Sequence, residues 1–304
     1  FLELLPTIGV VTNIDREHLD HYHNLDAIQA AFLRFASSVP FYGLSVLCGD
    51  DENIRRLLPE INRPVVLYGL SPECVIRAEQ VHQEGRLARF RLRVEEQDLG
   101  PYQIPLPGRH NLRNALACIA VSLFLDVHPE QIRDALASFE GVGRRFEIRG
   151  EAGGIVQIDD YGHHPTEIAA VLRAAREVYT TRRIVVLFQP HRYSRTAALY
   201  AEFGTAFADA DLLVLSDIYP AGELPITGVT GELLESEIVR SSGVEVVYAP
   251  EEVRAIETTA ARLEPGDVLL TLGAGPVWRW GDEVMRLVAS RGATQQSREV
   301  SNGV

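Results

Sequence analysis

The sequence contains 304 residues, of which 46% are hydrophobic and 23% charged, a balance typical of a globular protein of about two domains. The 42 acidic residues outnumber the 29 basic ones, and the resulting formal charge of −13 argues against binding to nucleic-acid phosphates or docking on an anionic membrane. The sequence has no run of about 18 or more apolar residues, which argues against a transmembrane helix.

Residue usage adds two expectations. All 29 basic residues are arginine, so chemistry that needs a lysine, such as that of a phosphate-binding loop, is not completed by this sequence. The sequence begins at Phe1 and its only methionine is Met285, so we expect it to be part of a longer protein. Cys48, Cys74 and Cys118 are widely spaced in apolar surroundings, which predicts buried thiols in a reducing cytoplasm and neither disulfides nor a zinc site.

The first 70 residues or so alternate between strand and helix patterns. Short apolar runs rich in β-branched residues predict buried parallel strands at Ile8–Val11, Leu44–Cys48 and Val65–Tyr68. Apolar residues at helical spacing predict helices over 24–38 and 51–58. This order is typical of a parallel α/β sheet with helices on both faces.

The apolar spacing changes to two over residues 75–105, which predicts a small antiparallel appendage with one solvated face. Helices are predicted again over 111–125 and 129–139. The glycine-rich, charged stretch Glu140–Glu147 then indicates a domain boundary, which we place so that the domains are 1–143 and 144–304.

The second half alternates strands and helices in the pattern of a doubly wound α/β domain, whose ligands bind at the carboxyl ends of the strands. Strands are predicted at 155–159, 184–188, 212–215, 245–248 and 268–272, with helices at 165–178, 197–208, 230–240 and 251–262. The polar, aperiodic residues from about Ser290 predict a disordered tail.

Polar side chains cluster directly after the first strand of this second domain. The strand runs into the segment Asp159-Asp-Tyr-Gly-His-His-Pro165. Asp159 or Thr166 could cap the following helix while His163 is merely solvated. Two aspartates, a tyrosine and two histidines around one glycine favour a ligand site at the sheet edge instead.

The next strand is followed by Gln189-Pro-His-Arg-Tyr-Ser-Arg-Thr196. Arg192 and Arg195 are three residues apart, which would place both guanidinium groups on one face of a helical first turn. Such a pair suits bidentate binding of a carboxylate or phosphate, although arginines also form ordinary surface ion pairs. The position after a strand of the same sheet favours the binding interpretation.

The first domain offers weaker candidates. The loop after its first strand is rich in histidine and acidic residues, and His18 and Asp20 could approach a divalent metal. Asn111, which follows Pro107-Gly108, could be a helix N-cap or could read a purine edge with its amide. Gly273-Ala-Gly275 suggests a close backbone approach to a ligand, but so short a glycine motif is a weak signal.

Together these segments resemble the Mur ligase family. The resemblance runs in order along most of the sequence and rests on six segments: Val11-Thr-Asn-Ile14 with Glu17-His18, Gly108-Arg-His-Asn-Leu-Arg-Asn114, Gly143-Arg-Arg-Phe-Glu147, Asp159-Asp-Tyr-Gly-His-His-Pro-Thr-Glu167, Phe188-Gln-Pro-His-Arg-Tyr-Ser-Arg-Thr196 and Tyr219-Pro-Ala-Gly-Glu223. The fourth and fifth segments are the most specific of these.

The resemblance implies a fold. Residues 1–143 would be the later part of a central P-loop-type ATPase domain, with a parallel sheet and the antiparallel appendage. Residues 144–304 would be the family's C-terminal Rossmann-like domain. The family's N-terminal domain for the UDP-sugar and the lysine-containing phosphate loop would lie outside this sequence, which alone would then be inactive.

The resemblance also implies a reaction and its residues. ATP would convert the lactyl carboxylate of UDP-N-acetylmuramate to an acyl phosphate, and L-alanine would attack it to form an amide in peptidoglycan precursor synthesis, with Mg²⁺ neutralising the phosphates. By this resemblance His18 binds Mg²⁺, Asn111 and Asn114 lie at the adenine, and Arg145 and Asp160 lie at the phosphate and ribose. His163, Arg192 and Arg195 would hold the amino-acid or acyl carboxylate, and Asn13 would contact the substrate.

Three other functions compete with this one. A murein-peptide recycling ligase would attach a whole peptide to the same sugar and would need a larger pocket around His163 and Arg192. A non-catalytic binding module would explain the absent phosphate loop, but the intact segments around these residues indicate a working site. A metal hydrolase is the least favoured, because the histidines lack the spacing of a ligand set.

Overall fold

The computed structural model describes residues 1–17 and 22–302, which form two compact units that meet between Glu140 and Gly141. The sequence predicted the domain boundary at 143/144. Among the described residues, no helix is both long enough and apolar enough to cross a membrane.

The first unit is built on one six-stranded sheet. Its strands are β1 (Ile8–Val11), β2 (Leu44–Cys48), β3 (Val65–Gly69), β4 (Ile76–Glu84), β5 (Leu87–Val94) and β6 (Gln97–Ile104). Its helices are α1 (Leu25–Ala36), α2 (Glu52–Leu57), a short 3-10 turn (Leu58–Glu60), α3 (Arg109–Phe124) and α4 (Pro129–Ala137).

The strands of this sheet lie side by side in chain order. The pairs from β1 to β4 are parallel, and the pairs β4–β5 and β5–β6 are antiparallel. The predicted antiparallel strands are therefore present, and they continue the parallel sheet because Tyr68 and Gly69 of β3 pair with the first residues of β4. The core beneath them contains the apolar faces of the central strands and of α3.

Local chemistry explains where several helices begin. Asn24 is the N-cap of α1 and accepts a 2.8 Å hydrogen bond from Ala27 N. Asp51 caps α2 in the same way, accepting from Ile54 N at 2.8 Å. Gly108, at φ +91°, is the N-cap of α3, so Asn111 lies inside that helix and is not its cap.

The described residues of the second unit, 141–302, form the other six strands and five helices. The strands are β7 (Glu147–Ala152), β8 (Ile155–Asp160), β9 (Ile184–Phe188), β10 (Leu212–Leu215), β11 (Glu245–Tyr248) and β12 (Val268–Leu272). The helices are α5 (Pro165–Val178), α6 (Tyr193–Ala206), α7 (Gly231–Ser242), α8 (Glu252–Arg262) and α9 (Val277–Asn302).

The strand order of the second sheet is β11-β10-β9-β12-β8-β7, with β7 antiparallel and all other pairs parallel. Strands β8, β9, β10 and β12 are buried along their whole length, as expected for parallel strands covered by helices on both faces. The doubly wound α/β prediction is confirmed, and the carboxyl ends of β8, β9 and β12 lie next to one another.

The structure differs from three expectations. Helix α9 continues to Asn302, whereas the sequence predicts a disordered tail from about Ser290; the segment has no proline to interrupt a helix. Helix α6 starts at Tyr193, four residues before the predicted start. Cys118 is exposed on α3, whereas Cys48 and Cys74 are buried as expected.

Candidate active site

A buried carboxylate joins the ends of two neighbouring strands. Asp159, fully buried near the end of β8, accepts hydrogen bonds from Thr271 Oγ1 at 2.6 Å and from Arg144 Nε at 3.0 Å. Burial raises the pKa of Asp159, against the effect of these two donors. Arg144 also donates to Gly273 O at 2.6 Å and lies 4.9 Å from the Tyr161 ring centroid. Asp159 therefore organises the edge of the sheet and does not cap α5.

Asp160 is buried next to Asp159 and accepts hydrogen bonds from backbone N–H groups. Its carboxylate accepts from Phe146 N at 2.8 Å and from Gly162 N at 2.7 Å. Burial raises its pKa to about 6, although both of these bonds favour the charged form. The predicted contact with the nucleotide stays a prediction. What the structure adds is that Asp160 holds residues 146 and 162 at the sheet edge.

Arg145 lies beside this carboxylate with about half of its side chain exposed. Its guanidinium is 5.6 Å from the Tyr161 ring centroid, and its Nη1 is 4.0 Å from Glu167 Oε1. The structure thus brings Arg145 and Asp160 close to each other beside Tyr161, and their role at a phosphate and ribose stays a prediction. An exposed guanidinium at this edge is suited to a phosphate oxygen.

Glu167, which the sequence analysis gave no role, fixes His163. Its Oε2 accepts from His163 N at 3.0 Å and from His164 N at 3.2 Å, and His164 is the N-cap of α5 in a capping box with Glu167. Thr166 is therefore not the cap. His163 Nδ1 lies 3.0 Å from Tyr161 O, so both the backbone and the ring of His163 have a partner in this segment. The spacing of His164 and Glu167 by three residues is a capping signal that could have been found.

The two predicted arginines lie in the segment that follows β9, and only Arg195 lies within helix α6. Arg192 is the N-cap of α6 with φ +74°, and Arg195 is in the first helical turn. Arg195 Nη1 donates to His191 O at 3.1 Å and lies 3.3 Å from His191 Nδ1. The expectation that both arginines stand on one helical turn is therefore wrong for Arg192, because its backbone turns before the helix begins.

His191 is the centre of an aromatic cluster. Its ring stacks on Tyr219 with centroids 5.6 Å apart, and it lies 5.9 Å from the ring of His163. Burial, the charge of Arg195, His163 and the charge of Arg192 together lower its pKa to about 4. His191 is neutral at pH 7, and its Nδ1 can accept a hydrogen bond from Arg195. The cluster links His163 to Arg195, two of the predicted site residues.

The glycine loop after β12 packs tightly against β9. A side chain at Gly275 would place its Cβ 2.5 Å from Gln189 Oε1, and one at Gly273 would meet Gln189 O at 2.8 Å. The Oε1 atom of Gln189 is buried without a hydrogen-bond partner among the described residues. The neighbour that excludes a side chain at these two glycines is Gln189, and the predicted approach of this loop to a ligand stays a prediction.

The first unit places its own candidates at the start of α3 and after β1. Asn111 is buried and donates from Nδ2 to Pro107 O at 2.8 Å, and within the described ranges nothing donates to its Oδ1. Asn114 is exposed one turn later. Asn13 is exposed after β1 and accepts from Thr12 Oγ1 at 3.1 Å. An amide acceptor at a helix start fits the amino group of adenine.

An ion pair connects α3 with the end of β2. Asp50 accepts from Arg113 Nε at 2.8 Å and also from the backbone N–H groups of Leu70 and Ser71. Burial alone would raise the pKa of Asp50, but the hydrogen-bond donors around it hold this pKa below the usual range. This carboxylate fixes α3, and with it Asn111, to the carboxyl edge of the first sheet.

The residues of the predicted metal site, His18 and Asp20, lie outside the described residues. Within residues 1–17 and 22–302, no group of three or more His, Cys, Asp or Glu side chains could hold a metal ion.

Both units match known protein families. The Mur ligase middle domain matches residues 2–122, and the Mur ligase glutamate ligase domain matches residues 144–275. These two matches together cover most of the chain.

Relatives with the same domains are similar over nearly the whole chain. The UDP-N-acetylmuramate–L-alanine ligase of Oleidesulfovibrio alaskensis is 50% identical over 281 residues, 92% of this chain and 62% of the relative. That of Geobacter sulfurreducens is 49% identical over 93% of this chain and 61% of the relative. The chain therefore spans about three fifths of the length of these relatives.

Solved structures share the fold. The UDP-N-acetylmuramate–alanine ligase of Thermotoga maritima has a TM-score of 0.75 at 26% identity, over 96% of this chain and 61% of that one. The MurF ligase of the same organism, solved in complex with ADP, has a TM-score of 0.74 at 17% identity, over 94% and 63%. A murein peptide ligase from Psychrobacter arcticus has a TM-score of 0.68 at 19% identity, over 95% and 58%.

Proposed function

Since the chain belongs to the Mur ligase family, we propose that the protein is an ATP-dependent ligase that joins L-alanine to the lactyl carboxylate of UDP-N-acetylmuramate. Relatives of that name are about half identical to it. The observation that carries the proposal is the cluster of Arg192, Arg195, His191 and His163 at the carboxyl edge of the second sheet. The reaction belongs to peptidoglycan precursor synthesis, and we place it in the cytoplasm.

The arginines of this cluster suit the carboxylate of the amino acid. Arg195 is oriented by the neutral imidazole and the carbonyl of His191, which fixes a guanidinium at the same strand end as Arg192. Arg192, with a half-exposed side chain, supplies a second guanidinium. His163, fixed through Glu167, completes the group that would hold the amino-acid or acyl carboxylate.

The nucleotide roles rest on residues that suit them chemically. ATP supplies the phosphoryl group that turns the lactyl carboxylate into an acyl phosphate, which the amine of L-alanine attacks with release of phosphate. In the first unit Asn111 would read adenine with Asn114 beside it, and Asn13 would contact the substrate. In the second unit Arg145 would hold a phosphate, with Asp160 near the ribose.

Magnesium is proposed from the family alone. The described part of the chain holds no suitable cluster of metal-binding side chains, and the expected ligand His18 lies outside it. We therefore assign no step of the reaction to a metal ion.

The test is a ligation assay with the complete enzyme and its Arg192→Ala variant. Loss of a charged hydrogen-bond donor to the amino-acid carboxylate is expected to raise the KM for L-alanine by roughly 10- to 100-fold. The KM for ATP is expected to stay within about twofold of the parent, since the nucleotide roles belong to other residues.

Three outcomes would contradict the proposal in different ways. An unchanged KM for L-alanine would remove Arg192 from the site. A parent enzyme that prefers a murein peptide over L-alanine in direct competition would be the recycling ligase. A parent that binds nucleotide but forms no amide with either substrate would be a binding module.

A further inference from the structure

The N-terminus of α6 carries an unfavourable set of charges. Arg192 is its N-cap and Arg195 lies in its first turn, and that turn contains no acidic residue. The positive end of a helix dipole disfavours cations, and an arginine N-cap has no acceptor for the free N–H groups of the first turn. A neighbouring element must therefore supply both the negative charge and the acceptor.

Glu223, 29 residues away from Ser194 in the chain, supplies both. Its Oε2 accepts from Ser194 N at 3.0 Å, one of the N–H groups of the first turn, and its Oε1 accepts from Ser194 Oγ at 2.6 Å. The same Oε1 lies 4.0 Å from Arg192 Nη1. Although partial burial opposes ionisation, Ser194 and the charge of Arg192 hold the pKa of Glu223 below its usual range.

The loop that carries Glu223 is fixed to the same strand end. Tyr219 N donates to Pro190 O at 2.8 Å, and Arg192 N donates to Tyr219 O at 2.8 Å. Left-handed backbone at Ala221 and Gly222 then turns the chain back towards the helix. Because both sides of the contact are anchored, Glu223 differs from an exposed ion pair between two free side chains.

We propose that Glu223 is a positioning residue for the arginines that bind the amino-acid carboxylate, and this inference rests on the proposed function. Its carboxylate acts as an N-cap supplied from another loop, which fixes the first turn of α6. It also balances part of the positive charge there, so that Arg192 keeps one orientation towards the ligand in place of several. Glu223 itself need not touch the substrate.

The test compares Glu223→Gln with Glu223→Asp in the complete enzyme. Gln keeps the size and one acceptor but removes the charge, and we expect the KM for L-alanine to rise about three- to tenfold with kcat and the KM for ATP near those of the parent. Asp keeps the charge on a shorter side chain and is expected to restore part of the loss. Glu232→Gln is the matched control, since Glu232 is an exposed carboxylate in the first turn of α7 and should leave all constants unchanged.

A second measurement does not depend on activity. The Nε–H resonances of Arg192 and Arg195 in ¹⁵N-labelled protein, assigned with Arg192→Lys and Arg195→Lys, are expected to shift in Glu223→Gln and not in Glu232→Gln. Unshifted arginine resonances, or a parent-like KM for L-alanine in Glu223→Gln, would overturn the inference. A parent enzyme that does not use L-alanine refutes the proposed function instead, and shifted resonances would still support the positioning role.

Discussion

At the scale of single residues, the neutrality of His191 has a consequence for stability. Its pKa is about 4 in the folded protein, against an ordinary value of 6.5, because of burial and the neighbouring arginines. As the pH falls from 6.5 to 4 the unfolded imidazole takes up a proton before the folded one does. The contribution of His191 to stability is therefore complete above pH 6.5 and is lost as the pH falls towards 4.

Urea unfolding of the parent and of His191→Phe between pH 7.5 and 4.5 tests this. Phe keeps an aromatic ring against Tyr219 but cannot bind a proton, so the free energy of unfolding of the parent should fall by on the order of 1–3 kcal/mol more than that of the variant. His82→Phe, which changes an exposed histidine of β4, should follow the parent. Parallel curves for parent and His191→Phe would show that His191 is not held neutral by the fold.

The residues that the sequence analysis quoted without giving them a role have one thing in common. Arg192 and Arg195 could be found because they follow a strand in a recognisable segment. Glu223 lies 29 residues from its partner Ser194, and Arg144 reaches Gly273 from 129 residues away. Contacts of that kind depend on which strands become neighbours in the sheet, and spacing along the chain does not report this.

At the scale of elements, the loop after β12 packs against the end of β9. This packing predicts that replacing Gly275 by alanine lowers the free energy of unfolding much more than replacing Gly150 does. In Gly275→Ala the new Cβ would stand 2.5 Å from Gln189 Oε1 and 3.4 Å from Tyr219 Cγ, so the loop or the Gln189 side chain must move. We expect the free energy of unfolding to fall by about 1–3 kcal/mol. Gly150→Ala in β7 is the matched control, because nothing lies within 4 Å of the added Cβ.

Chemical denaturation of Gly275→Ala and Gly150→Ala measures the two losses of stability. A double variant then tests whether the contact with Gln189 causes the larger one. If the contact with Gln189 is responsible, Gln189→Ala combined with Gly275→Ala should cost less than the two single changes together. Equal stability of Gly275→Ala and Gly150→Ala would mean that the loop accommodates a side chain and that the glycine is not required by packing.

A strand or helix could be predicted where the apolar pattern of its own residues is sufficient to identify it. The buried strands β8, β9, β10 and β12 are short apolar runs between polar loops, and the sequence analysis located all four. Strand β7 was missed because its half-exposed residues, Glu147 and Arg149 among them, show no alternation. The early start of α6 was missed because its acceptor, Glu223, comes from another loop.

At the scale of the whole molecule, the net charge is negative, whereas the candidate site at the edge of the second sheet is rich in arginine. The formal charge of −13 gives no sign of an anion-binding surface. The fold nevertheless gathers Arg144, Arg145, Arg192 and Arg195 at the carboxyl edge of the second sheet, where Asp159 and Glu223 pair with two of them. A composition argument excludes a large basic surface, but it does not bear on a small anionic ligand held by two or three arginines.

The division into two units makes a prediction about the whole chain. All strands of the second sheet and a separate apolar core, with Trp280 in it, belong to residues 141–304. A segment with a complete sheet and its own core should fold alone, so residues 141–304 expressed separately are expected to unfold cooperatively in urea. Both tryptophans, Trp278 and Trp280, lie in this unit, so tryptophan fluorescence of the intact chain reports on it alone.

Comparison of the two proteins then measures how far the units depend on each other. If the second unit is autonomous, the fluorescence transition of the intact chain and that of the 141–304 segment should share one midpoint and one slope, since the slope follows the surface exposed on unfolding. Far-ultraviolet circular dichroism of the intact chain also reports the first unit and can show a further transition. A segment that unfolds without cooperativity, or at a clearly lower urea concentration than the intact chain, would show that the first unit stabilises the site-bearing sheet.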